Sequence, residues 1–135
     1  MLRAAESILG PSLEAVQALD LAPDEAPAPL RARIDHVLRA LASPDGVLVL
    51  TDLLGGTPYR VALELLREEC AGKVALVAGM SLPVVLEALL QRHAVSSVEE
   101  LARAALRAGS EHLRICDLER MGQNSGGVVS PGAGG

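Results

Sequence analysis

Apolar positions along this chain fall into helical and strand-like periods in turn, which is the sequence sign of an α/β domain built on a parallel sheet. Residues 1–9 read as a helix stopped by Gly10 and Pro11, and residues 13–19 as a strand with alternating apolar and polar side chains. Residues 21–29, with Pro23, Pro27 and Pro29, read as a loop. It feeds a helix whose apolar face is supplied by Leu30, Ile34, Val37, Leu38 and Leu41. Ser43, Pro44, Asp45 and Gly46 then turn the chain into Val47, Leu48, Val49 and Leu50, four apolar residues with no polar alternation. Such a run suits a strand covered on both faces. A helix from Thr57 to about Cys70 stops at Gly72, residues 74–78 form the next buried strand, and Ser97 with Glu100 makes a capping box for the last helix. Residues 113–116 read as a short final strand. The predicted fold class is α/β, an open, mainly parallel, doubly wound sheet flanked by helices.

Asp52 falls at the carboxyl end of the first apolar strand, where open α/β sheets place their ligands. Gly55 and Gly56 let the backbone take positive φ or approach a ligand closely, and Thr57 and Pro58 fit the cap and first position of a helix. The N–H groups and positive dipole end of that helix would face the same space as Asp52, an arrangement suited to phosphate or carboxylate. A tight strand-to-helix turn with no ligand uses the same residue types, so both readings stand on this segment alone. Ser81 before Leu82 and Pro83 repeats the pattern. A second helix start would therefore point into the same crevice.

Four pieces of the chain, in order, resemble the IIA component of the mannose-type sugar phosphotransferase system, over residues 1–117. They are Leu-Arg-Ala-Ala-Glu-Ser-Ile-Leu-Gly at 2–10, Thr-Asp-Leu-Leu-Gly-Gly-Thr-Pro-Tyr at 51–59, Val-Ala-Gly-Met-Ser-Leu-Pro at 77–83, and a helix with Glu-Glu-Leu-Ala at 99–102 that ends near Gly109. The second and third are similar to the family's two active-site loops. The resemblance implies a phosphoryl relay through a histidine, from the carrier protein HPr to a IIB component, in phosphoenolpyruvate-dependent sugar uptake. It gives Asp52 the role of orienting that histidine, since a carboxylate on one ring N–H raises the basicity of the other nitrogen. Gly55, Gly56, Thr57 and Ser81 would hold the phosphoryl oxygens through preorganised donors. A homodimer is implied too, with the last strand near residues 113–116 exchanged between subunits, and indirect contact with membrane sugar permease components. No cofactor and no metal is implied.

Members of this family begin with a strand running into a Thr-His-Gly type loop, whose histidine is the phosphoacceptor. The present sequence opens at Met1, Leu2 and Arg3, inside what resembles the helix after that loop. The sheet is thus expected to lack the family's first strand, and in-frame codons upstream of Met1 are expected to encode it. The alternative is a IIA-like regulatory or binding module without catalysis; a third reading fills the exposed sheet position with a partner's strand. His36 falls among the polar positions of its helix, and His93 lies at a helix end where a cation complements the dipole. His112 precedes the last strand. None matches the family's phosphoacceptor.

Composition narrows the partners. The chain has 135 residues, half of them hydrophobic, enough for one domain over residues 1–118 with an almost purely aliphatic core. Tyr59 is the only aromatic residue, and its amphipathic ring suits packing of the helix start against the sheet. A net charge of -5 and the lack of aromatic stacking platforms argue against nucleic acid. No apolar run approaches the roughly 20 residues that span a bilayer, so a cytoplasmic protein is expected, peripheral to the membrane through a permease complex. Cys70 and Cys116 are far apart with no ligand spacing, which points to reduced thiols. Residues 119–135 are rich in Gly, Ser and Pro and read as a disordered tail. There is no glycine-rich dinucleotide or Gly-Lys-Ser/Thr loop. The chain as written is expected to form no stable phosphohistidine with phosphoenolpyruvate, enzyme I and HPr; intact mass and peptide mapping check this, and phosphate on His36, His93 or His112 contradicts it.

Overall fold

Two short apolar segments pair to form the sheet: β1 (Val47–Thr51) and β2 (Val74–Ala78) run parallel, with Val47 opposite Val74 and Thr51 opposite Ala78. In this computed structural model the described residues are 1–10, 13–68 and 73–116. Around the strands lie α1 (Leu2–Leu9), α2 (Pro27–Leu41), α3 (Thr57–Glu68), α4 (Leu82–Gln91) and α5 (Val98–Glu111). The result is a parallel sheet flanked by helices, as the alternating pattern predicts.

Side chains alternate across a strand, so Leu48 and Leu50 share one face of β1. Leu48 and Leu50 pack against Val84 and Ala88 of α4 and Ala105 of α5. A second cluster joins Leu30 and Ile34 of α2 to Val61 and Leu65 of α3, with Leu38 against it. The four-residue spacing of Leu30, Ile34 and Leu38 puts them on one helical stripe, which is why α2 can bury that face. Each such leucine, fully buried, contributes about 2 kcal/mol. Gly46 is fixed by geometry: its φ is +106°, and a Cβ there would lie 2.7 Å from the Lys73 carbonyl oxygen. That close approach lets the Val47 N–H reach the same oxygen at 2.8 Å and start the ladder.

Several expectations need correction. Residues 13–19 form no strand; a strand exists through its cross-strand bonds, and this segment joins no ladder. What it does make is a long-range polar contact, Arg92 donating to the Glu14 carbonyl at 2.6 Å. The proline-rich loop ends earlier than residue 29, since Pro27 already opens α2; proline is tolerated in a first turn, whose N–H groups have no partner there anyway. Val47 to Leu50 are half-buried where full burial was expected; among the described residues the sheet has two strands, so each has an open hydrogen-bonding edge that adds exposure. The final strand at 113–116 reduces to a single bridge at Ile115, with Leu113 and Ile115 exposed. The last helix runs past Gly109 to Glu111. The proposed helix stop at Gly72, Cys70 and the tail lie outside the described residues, while Cys116 is exposed.

The cap of α5 is the predicted one with a shift. Ser97 Oγ accepts the Glu100 N–H at 3.1 Å, but the Glu100 carboxylate accepts from the Ser96 N–H at 2.9 Å and hydroxyl at 2.8 Å, one residue earlier than a capping box requires. These bonds, the backbone one first, hold the Glu100 carboxyl below its ordinary value of 4.5. A lowered carboxyl contributes stability above its unfolded value and loses it as pH falls through the folded value. Ser97→Ala is expected to cost about 1 kcal/mol in chemical denaturation. Glu100→Gln should lower stability at neutral pH, where the ionised carboxylate contributes fully, and flatten the acid limb of the melting profile, so that the gap to wild type closes as pH falls below 4.5.

Candidate functional site

Parallel strands carry their following loops to the same end of a sheet, so the turn after β1 and the turn after β2 are neighbours here by topology. A single backbone bond joins them: the Met80 N–H donates to the Thr51 carbonyl at 2.9 Å, extending the strand pairing into both loops. Asp52 follows as an exposed bend residue. Gly55 has φ +79°, a left-handed conformation that strains any residue with a Cβ, although the space around it is open. The Gly56 N–H donates to the Leu53 carbonyl at 3.1 Å and closes the turn.

The helix entries differ from the sequence expectation in one detail. Gly56, and not Thr57, is the cap of α3, since its carbonyl accepts the Arg60 N–H at 3.0 Å and Thr57 is the first helical residue. A glycine cap leaves the helix start open to a ligand, with no side chain closing onto the first N–H groups. Ser81 does cap α4 with an extended backbone, yet its hydroxyl makes no capping bond. Two helix starts with uncommitted N–H groups and a carboxylate thus border one end of the sheet. Such a place suits an anion or a polar ring.

Proximity does not extend to every predicted member. Ser81 lines a cavity of about 380 Å³ with Gly79, Pro83, Leu106, Ser110 and His112, whereas Asp52, Gly55, Gly56 and Thr57 do not line it. A neighbouring cavity of the same size holds Leu54 and Tyr59 and shares Val77, Ala78 and Leu106 with the first. Tyr59 is half-buried there beside Leu76 and Ala102, in keeping with a packing role. His36 is exposed on α2, and His93 is exposed beyond α4. His112 caps α5, its Nδ1 lying 2.8 Å from the Ala108 carbonyl oxygen. Among the described residues no group of three His, Cys, Asp or Glu could hold a metal ion.

Two features escaped the sequence reading. Leu53 and Leu54, beside Asp52, are 66% and 71% exposed; the only signal is an apolar pair inside a turn. Thr51 is 7% exposed, and its Oγ1 finds no hydrogen-bond partner among the described residues. A hydroxyl ending a run of Val and Leu was the available sign.

Comparison with known proteins decides the family, because residues 1–106 match the one described as PTS system fructose IIA component. The chain belongs to the mannose/fructose-type IIA family of the sugar phosphotransferase system. It is 31% identical over 114 residues to the PTS system mannose-specific EIIAB component of Escherichia coli K12, a match covering 84% of this chain and 34% of that protein. The chain therefore spans only 34% of the length of that curated relative. Among solved structures, it is similar to phosphotransferase system component EIIA from Streptococcus agalactiae, at 28% identity and TM-score 0.76 over 88% of this chain and 87% of that one. The mannose/sorbose specific IIA subunit from Enterococcus faecalis aligns at 28% identity and TM-score 0.72, over 87% and 84%. The IIA fold thus extends across most of the sequence. Gly55→Ala should lower stability by about 1 kcal/mol through left-handed strain, while Gly55→Asn, which tolerates that region, should cost less; denaturant melts of both variants check it.

Proposed function

We propose that the protein acts as the IIA phosphocarrier of a phosphoenolpyruvate-dependent sugar phosphotransferase system, taking a phosphoryl group from HPr and passing it to a IIB component. Supporting this reading most directly is the Met80 to Thr51 backbone bond, which brings the Asp52 loop and the Ser81 loop to one end of a parallel sheet in a chain of IIA family. Asp52 accepts a hydrogen bond from one ring N–H of the phosphoaccepting imidazole. That bond fixes the tautomer, leaves the other nitrogen's lone pair for attack, and offsets the positive charge of the ring as it takes up the phosphoryl group.

Phosphoryl transfer depends on positioning and on charge stabilisation at the equatorial oxygens. Backbone N–H groups of Gly55 and Thr57, with the Thr57 and Ser81 hydroxyls, supply donors that need no rearrangement as charge develops, while Gly56, whose N–H closes the turn onto the Leu53 carbonyl, lets the phosphoryl oxygens approach the backbone closely. Asp52, being exposed, can meet a protein partner at the mouth of the crevice, and Leu53 and Leu54 beside it offer apolar contact. The working unit is a homodimer that exchanges the segment at 113–116, and its place is the cytoplasm beside a sugar permease. Among the described residues no helix is long and apolar enough to cross a membrane.

The test is phosphoryl transfer from phospho-HPr to the full gene product, wild type against Asp52→Asn. Loss of the carboxylate should slow transfer by about 100-fold, within the usual range for a group that governs proton position. Circular dichroism should show an unchanged fold, since Asp52 is exposed. Transfer by the variant within twofold of wild type contradicts the role given to Asp52, and no transfer to the wild type contradicts the phosphocarrier reading itself.

A further inference from the structure

Arg60 stands in the opening turns of α3, and nothing in the fold calls for a cation there. Its backbone N–H donates to the Gly56 carbonyl at 3.0 Å, which sets it one helical turn after the glycine turn. Val61, Ala62 and Leu65 take the buried face of α3. Arg60 is exposed on the stripe it shares with Gly56 and Thr57, since residues three and four apart are neighbours on a helix. Its guanidinium makes no hydrogen bond or ion pair among the described residues. On α2, by contrast, Arg31 pairs with Glu68 at 2.6 Å and Arg33 with Glu25 at 2.7 Å. Glu64, one turn further along α3, is exposed and leaves Arg60 unpaired.

A cation near the start of a helix opposes the macrodipole, whose positive end lies there, and the first turn of α3 holds no acidic residue to offset it. The stabilising choice is seen in α5, with Glu99 and Glu100 in its first turn. Helical side chains lean towards the N-terminus, so the arginine arm extends over Gly56 and Thr57 towards the turn at Gly55, where a Cβ would meet nothing within 4 Å. Two sources of positive charge thus converge on one open space, an arrangement that is unfavourable until an anion enters it. We infer that Arg60 is a catalytic residue of the proposed transfer: its planar guanidinium takes two oxygens of the incoming phosphoryl group as a bidentate pair and offsets the charge spread over them. The inference rests on the phosphocarrier reading. Arg60 lies among the described residues, and its partner in the contact is the substrate itself. As the bond from phosphorus to the donor breaks and the bond to the acceptor forms, Arg60 stays protonated and gives up no proton.

The experiment compares Arg60→Gln and Arg60→Lys with wild type in the full gene product, reading melting temperature without phosphoryl donor, and kcat and KM for transfer from phospho-HPr. Arg60→Gln should melt no lower than wild type, because it removes a cation from the positive end of a helix. It should lower kcat about 10-fold, less than the loss of a water-excluded donor, since Arg60 is exposed. Arg60→Lys keeps the charge without the fork and should recover part of kcat. A glutamine variant with wild-type kcat overturns the inference and leaves the phosphocarrier reading intact. So does one whose loss lies in KM alone, because Arg60 then meets the donor protein and not the phosphoryl group. A glutamine variant that melts well below wild type overturns it too, the arginine being then a contact of the fold. A lysine variant as slow as glutamine removes the charge argument and the inference with it. A wild type that accepts no phosphoryl group defeats the reading, and this inference falls with it.

Discussion

Parallel pairing of β1 with β2 is the constraint on which the site depends. Had the strands run antiparallel, the Asp52 loop and the Ser81 loop would lie at opposite ends of the sheet. In the parallel arrangement, α3 must cross from the end of β1 back to the start of β2, and two helix N-termini are delivered to one edge. The Met80 N–H to Thr51 carbonyl bond then carries the register of the strands into the loops, so the crevice inherits the sheet's order. Gly46 serves the same pairing at the other end, where any Cβ would collide with the Lys73 carbonyl oxygen.

Much of this architecture was legible in the residues, for identifiable reasons. Val47 to Leu50 and residues 74–78 are apolar runs too short for helices, and they pair as expected. Ser97 announced α5 because capping is a local interaction of a few neighbouring residues, and the Gly-Gly-Thr-Pro and Ser-Leu-Pro segments announced helix starts for the same reason. Asp52, Gly55, Gly56 and Thr57 were placed at one strand end by chain order alone. Ser81 was placed beside them by topology, and its loop does meet theirs.

Where expectation failed, the deciding physics was non-local. Residues 13–19 have a strand's alternation, but alternation records a possible face and not a ladder partner. The same holds for 113–116, where Leu113 and Ile115 stay exposed and a single bridge forms. Pro27 looked like a loop residue because proline's helix-breaking effect depends on position, and at the first turn it vanishes. Thr51 was overlooked since a threonine in a strand is unremarkable until its burial and its lack of a partner are seen together. The cavity that Ser81 shares with His112 depends on how α5 lies along β2, a packing relation no short motif encodes.

The central claim is that the loops after β1 and β2 form one phosphoryl-binding site, and amide chemical shifts test it directly. Spectra of the full gene product, recorded before and after incubation with phosphoenolpyruvate, enzyme I and HPr, should show the amides of residues 55–57 and of 79–81 moving together as phosphohistidine forms. Shifts confined to one loop, or phosphorylation that leaves both loops unchanged, would contradict the account.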